Sequence, residues 1–387
     1  MNNTDILMAL LRSEITEVPV GSEVKEAIDG ECIAELFRIA KIHDFTQTVF
    51  SALKKCGLLS RTDALYMQFE EAEELAFFRC KRLDNALGEI KRTLAEAKIE
   101  YVALKGAVMR PLYPSRLMRM SADVDVLVRE SALDGAVEAL ESRLGYKKSG
   151  GKDFHDISLY SPDGMHLELH YNIKENSDTL DEVLEGVWDY TRPVADGAYE
   201  CTLTPEFFAF HLITHMVYHF INGGCGIKPF SDLWLWRKRV GYDENNVLSL
   251  CRECGIERFY KNAVELSDVW FEGRAHTPIT ERMEAHIVHN AICGNVEKGV
   301  VVRQSKSGGR LGYMLGRIFM PYRSLKIRYP IVAKCPLLLP VFEVVRWFSL
   351  LFGDKSRVKR ELAGTKGVSD KQMSALIDFY NDLGLKV

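Results

Sequence analysis

Residues 99–128 read IEYVALKGAVMRPLYPSRLMRMSADVDVLV. IEYVAL is short, rich in strand formers and runs into Gly106, the pattern of a buried strand turning into a helix. Val124–Val128 is a second strand, with valines alternating against Asp123 and Asp125. Moving outward, Leu133–Leu144 has helical spacing and stops at Gly145. Ile157–Tyr160 and His166–Tyr171 then form a hairpin around Ser161-Pro162-Asp163-Gly164. On the other side, Cys32–Leu53 and Ala64–Ala97 place apolar residues at three- and four-residue intervals, the mark of amphipathic helices. After Thr204-Pro205, a helix start, the chain reads as helical to its end, with glycine-containing breaks at 223–226 and 308–312. The expected class is α+β. A small mixed-sheet α/β core over 99–200 lies between helical regions at 1–98 and 201–387.

The composition fits that architecture. The 387 residues are 47% apolar and 27% charged, ordinary values for a globular protein, which excludes a disordered, collagenous or coiled-coil chain. The start, MNNTDILMALLRSE, has no basic segment leading into a long apolar run, so no secretory signal is read. Ile331–Phe352 is the most apolar stretch, but Lys334, Glu343, Arg346 and two prolines make it a poor membrane span. Nine scattered cysteines read as reduced thiols, and the expected location is the cytoplasm. The net charge of −4 conceals a basic segment: nine Lys and Arg and no acidic residue between Lys298 and Phe342. Such a run suits an anionic surface or, as readily, a solvated loop.

The chemistry is carried by the α/β core. Asp123 and Asp125 stand two apart on a strand, so both leave one face, about 6.6 Å apart along it. Two carboxylates so placed can hold a pair of divalent ions about 3.5–4 Å apart, as two-metal phosphoryl transfer requires. HLELHY puts His166, Glu168 and His170 on one face and Leu167, Leu169 and Tyr171 on the other. An acidic residue between two histidines in a core strand needs solvent, a partner or a metal, and Glu168 becomes a third carboxylate if its strand adjoins the first. At Leu104-Lys105-Gly106-Ala107 the strand-to-helix turn offers backbone N–H groups and a cation to phosphate oxygens, with Arg119 near enough in sequence to join.

Together these residues resemble the nucleotidyltransferase superfamily, which shares the catalytic core of DNA polymerase beta. More narrowly they resemble the bacterial group of uncharacterised nucleotidyltransferase family proteins. The likeness rests on LKGAVMRPLYP (104–114), RMSADVDVLV (119–128) and HLELHYNI (166–173). It extends through HMVYHFINGGCGIKPFSDLWLW (215–236) and IFMPYRSLKIRYPIVAKCPLLLP (318–340). The resemblance implies Asp123, Asp125 and Glu168 as catalytic metal ligands, with Mg²⁺ or Mn²⁺ bound. It implies Lys105, Gly106 and Ala107 around the triphosphate of an NTP, with ATP expected; the sequence itself adds Arg119 as a further nucleotide contact and offers His170, His219, Lys228 and Asp232 as candidate substrate contacts. The acceptor stays open among small molecule, protein and RNA. The chain departs from the pattern in having Ala107 where the superfamily has Ser or Gly, Glu168 for Asp, and Lys228 where the narrower group often has Arg.

Other signals carry less. His211, His215 and His219 recur every four residues on a helix, but without the H-E-x-x-H pattern of a zinc site. Cys251 and Cys254 form one C-x-x-C with no second pair, and Gly223–Gly226 with Lys228 lacks P-loop spacing. Two alternatives to a transferase stay open: a non-catalytic nucleotide- or polyanion-binding module using 298–342, and metal-dependent phosphoester hydrolysis with water as acceptor.

Overall fold

The computed structural model describes residues 1–222, 224–293, 335–352 and 370–386, with Tyr322, Leu325, Tyr329 and Ile331. Seven strands form one mixed sheet: β1 (Tyr101–Ala103), β2 (Asp123–Val128), β3 (Lys147–Lys148), β4 (Asp156–Tyr160), β5 (His166–His170), β6 (Thr191–Pro193) and β7 (Glu200–Leu203). Their order is β3-β4-β5-β2-β1-β7-β6. β2 runs antiparallel to β1 and parallel to β5, while β1 runs parallel to β7. The hairpin closes where expected: β4 and β5 are antiparallel, and the Gly164 N–H donates to Ser161 O at 2.9 Å with φ at +82°, a conformation that favours glycine.

Alternation divides the sheet into two unlike faces. Val124, Val126, Val128, Ile157, Leu159, Leu167 and Leu169 are buried in one apolar cluster with Leu83, Ile90 and Leu94 of helix Tyr66–Glu96 and Val137 and Leu140 of helix Leu133–Leu144. Each such side chain contributes about 1.5–3 kcal/mol by leaving water, which fixes the register of β2 and β5. The intervening residues therefore face away from those helices. β6 and β7 have no counterpart in the sequence reading. They are three and four residues long, and β6 ends in a proline that cannot donate to a ladder.

Helices enclose this sheet within one compact unit, Met1–Met216 with Gly226–Ile292. In it, helix Asn3–Thr16 packs on Thr46–Lys55 and on Glu257–Glu272, and the last of these packs on Lys228–Leu235. Residues from the first and last thirds of the chain thus share one helical layer. A second unit comprises Val217–Cys225 and Cys293–Val387. Within it, the Tyr380 hydroxyl donates to Phe220 O at 3.2 Å beside the ring of Phe379. No helix among the described residues is long and apolar enough to cross a membrane.

Candidate active site

The acidic face of β2 meets its counterpart on β5 in register: Asp123 lies beside His166 and Asp125 beside Glu168. In-register neighbours on parallel strands project to the same side, so the strand pairing alone brings three carboxylates and two imidazoles together. Asp125 and His170 are buried, and Asp123, His166 and Glu168 are half-buried. Two sets of donor atoms converge, Asp123–His166–Glu168 and Asp125–Glu168–His170, each with its atoms within 4.8 Å of one another. Glu168 belongs to both. Oxygen and imidazole donors this close fit a divalent cation.

The cluster balances its own charge. Lys105 Nζ donates to Asp125 Oδ1 at 2.8 Å, and His170 Nε2 lies 3.0 Å from the same oxygen and 3.5 Å from Glu168 Oε2. Burial would raise the Asp125 carboxyl, but the Lys105 ammonium and His170 hold it well below the usual carboxylate range. The contact with His170 likewise lowers Glu168 against the opposing effect of burial. Asp123 moves the other way, raised by burial and by the charges of Asp125 and Glu168. Burial disfavours the charged forms of His170 and Lys105, yet their carboxylate partners outweigh it and both are raised. The cluster thus sets two carboxyls that Lys105 and His170 lower beside a third, Asp123, that burial and its acidic neighbours raise.

The turn after β1 is held tightly to β2. Leu104 N–H donates to Asp125 O at 3.1 Å, and helix Lys105–Met109 begins at once. Lys105 sits at φ +41°, in the left-handed region that non-glycine residues enter only when other contacts hold them there. A Cβ on Gly106 would lie 3.2 Å from Ser121 Oγ, a tight approach that Ser121 would have to relieve by a few tenths of an ångström. That hydroxyl is itself engaged, accepting from Arg110 at 3.0 Å and donating to Asp123 O at 3.0 Å. Ala107 N–H closes the turn onto Leu104 O at 3.1 Å. The N–H groups of Lys105 and Gly106, at the first helical positions, have no acceptor within the helix.

The remaining expected contacts are distributed differently. Arg119 is buried and directs its guanidinium at Asp232, with Nε 2.8 and 2.9 Å from the two carboxylate oxygens, while Nη1 donates to Met120 O. Asp232 also accepts from the Tyr113 hydroxyl at 2.7 Å. Lys228 donates to Asp44 Oδ2 at 2.7 Å and to Met120 O at 2.8 Å. These three residues therefore brace the segment leading into β2, and their charges meet protein partners. His219 belongs to the second unit. His211 is buried with no hydrogen bond on either ring nitrogen, and His215 Nδ1 is 2.9 Å from Glu175 Oε1. Burial raises the thiols of Cys251 and Cys254, so neither is a ready thiolate. The nine basic residues of 298–342 lie outside the described residues, and with them the anionic-surface reading.

Sequence reasoning passed over His166, Ser121 and Ser158 as site residues. The alternation of HLELHY had already put His166 on the face of Glu168, and that was the available signal. Ser121 and Ser158 carry none, because each matters through a neighbour that only the folded sheet supplies.

A family model described as an uncharacterised nucleotidyltransferase matches residues 29–272, more than half of the chain. No curated protein and no solved structure matches it.

Proposed function

The chain belongs to the uncharacterised nucleotidyltransferase family, and from that membership we propose that it moves a nucleoside monophosphate from an NTP, ATP first, to an acceptor hydroxyl or phosphate. The observation that carries this reading is the β2–β5 register, which sets Asp123, Asp125 and Glu168 on one face beside the Lys105–Gly106 turn. In the reaction an acceptor oxygen bonds to the α-phosphorus, the bond to the β-phosphate oxygen breaks, and pyrophosphate leaves. Asp123, Asp125 and Glu168 would hold Mg²⁺, which when bound supplies charge neutralisation of the triphosphate and in-line alignment. Lys105 is the mobile cation of the site. Its flexible stem lets the ammonium transfer from Asp125 to a phosphate oxygen, where it stabilises the leaving pyrophosphate. A carboxylate oxygen of Glu168 takes the acceptor's proton, a role its half-buried place level with Asp125 on the neighbouring strand suits. Arg119, Asp232 and Lys228 hold the segment before β2 in place so that Asp123 and Asp125 keep their spacing.

The test uses labelled NTPs, Mg²⁺ and a cell extract. Wild-type protein should transfer label to one or more extract components with release of pyrophosphate. Asp123→Asn with Asp125→Asn should abolish transfer while the protein remains folded. Label transfer that survives the double substitution would refute the assignment, and free monophosphate as sole product would favour the hydrolytic alternative.

A further inference from the structure

Three carboxylates alone would suit Mg²⁺, an ion that takes oxygen donors and keeps much of its water. This face carries more than carboxylates. Each of the two converging donor sets includes one imidazole, His166 with Asp123 and Glu168, and His170 with Asp125 and Glu168. Resting on the nucleotidyl-transfer reading, we infer that the site is built for a pair of ions that accept nitrogen as well as oxygen, with His166 and His170 as one ligand each and Glu168 common to both. Imidazole suits Zn²⁺ and the other later first-row ions and is a poor partner for Mg²⁺, whereas Mn²⁺ takes carboxylates as Mg²⁺ does and is the weakest binder of its row, which makes it the most demanding probe of the two histidines.

Both rings are already oriented by their surroundings. His166 has Nε2 3.1 Å from Ser158 Oγ, and its ring stacks on Tyr160 with centroids 4.7 Å apart. Ser158 and Tyr160 come from β4, whose register sets them opposite Glu168 and His166. A hydroxyl on one ring nitrogen leaves the other for a cation, the arrangement by which neighbouring groups fix the orientation of metal-binding histidines. His170 is buried and stacks on His155 with centroids 5.3 Å apart, and the nitrogen it turns to the carboxylates is Nε2, 3.0 Å from Asp125 Oδ1 and 3.5 Å from Glu168 Oε2. Two imidazoles aligned by strand register and aromatic stacking on a carboxylate face need less reordering to bind than flexible surface histidines would.

The experiment is a Mn²⁺ titration of the full chain, following free Mn²⁺ by its electron paramagnetic resonance signal, with Mg²⁺ as competitor. Wild type should bind two Mn²⁺ and prefer Mn²⁺ over Mg²⁺ by tenfold or more. Electron spin-echo spectra of the Mn²⁺-loaded protein should show nitrogen coupling from directly bound imidazole. His166→Gln, at a half-buried position, should weaken Mn²⁺ binding about tenfold, reduce the nitrogen coupling and leave Mg²⁺ affinity nearly unchanged. Mn²⁺ binding without nitrogen coupling in wild type would overturn the inference and leave the nucleotidyl-transfer reading intact. Failure to bind either ion, with or without NTP, would remove both.

Discussion

The buried pair Arg119–Asp232 distinguishes a phosphate-binding arginine from a brace, and a double-substitution cycle reads the difference. Asp232 is 2% exposed and Arg119 8%, with the guanidinium nitrogens 2.8–2.9 Å from both carboxylate oxygens. Asp232→Leu leaves that guanidinium with only a backbone carbonyl at Met120, and an uncompensated buried charge costs about 3–5 kcal/mol. Arg119→Met leaves Asp232 with the Tyr113 hydroxyl, and should cost about as much. Arg119→Met combined with Asp232→Leu removes both charges and keeps much of the packed volume, while Tyr113 retains Ser231 at 2.8 Å. The double variant should therefore lie within about 2 kcal/mol of wild type and be more stable than either single one. Urea unfolding of all four proteins, followed by circular dichroism at pH 7.5, gives the cycle. NTP affinity supplies the second readout. A brace predicts affinity within about threefold of wild type in the double variant, whereas loss of a charge-assisted phosphate contact worth about 1.5–3 kcal/mol predicts at least a tenfold fall. If Arg119→Met leaves the urea midpoint unchanged and weakens NTP binding tenfold, the brace reasoning is wrong.

Three further outcomes follow from the same geometry. Lys105→Met removes the ammonium that competes with a cation for Asp125, so divalent-ion affinity should rise about tenfold while NTP affinity falls; calorimetry that shows both falling together would contradict the competition. Gly106→Ala pushes a methyl against Ser121 Oγ at 3.2 Å and should destabilise the protein by about 1–3 kcal/mol, and adding Ser121→Gly should recover part of that loss in a thermal melt. His43 is buried and its imidazole is lowered to about 4 by burial and then by the Lys228 charge, so the unfolded chain binds this proton below about pH 6.5 and the folded chain resists until about pH 4. Stability from His43 is thus present above pH 6.5 and lost as pH falls through that window, by about 3 kcal/mol at its foot, and His43→Gln should flatten the slope of urea midpoint against pH between 6.5 and 4.5.

Face and partner are different kinds of information, and the sequence carries the first far better than the second. Because side chains on a strand alternate with a period of two, DVDVLV and HLELHY suffice to put Asp123, Asp125, His166, Glu168 and His170 on polar faces opposite buried valines and leucines. That β5 lies parallel to β2, with Glu168 level with Asp125, depends on how a helix and two strands are threaded between them, and no local pattern specifies it. The cations show the limit most clearly. Lys105 and Arg119 are both basic, both close in sequence to the aspartates and both credible phosphate ligands when read along the chain. Folding gives them opposite situations. Lys105 meets Asp125 inside the carboxylate cluster, whereas Arg119 meets a carboxylate 113 positions away that the same reading had offered as a substrate contact. A buried guanidinium must find its counter-charge somewhere, since leaving it unpaired is costly, but the requirement is met by whichever acidic residue the helices deliver. For this fold, charge type and strand period locate the acidic face, and long-range pairing decides which of the nearby cations lies within it.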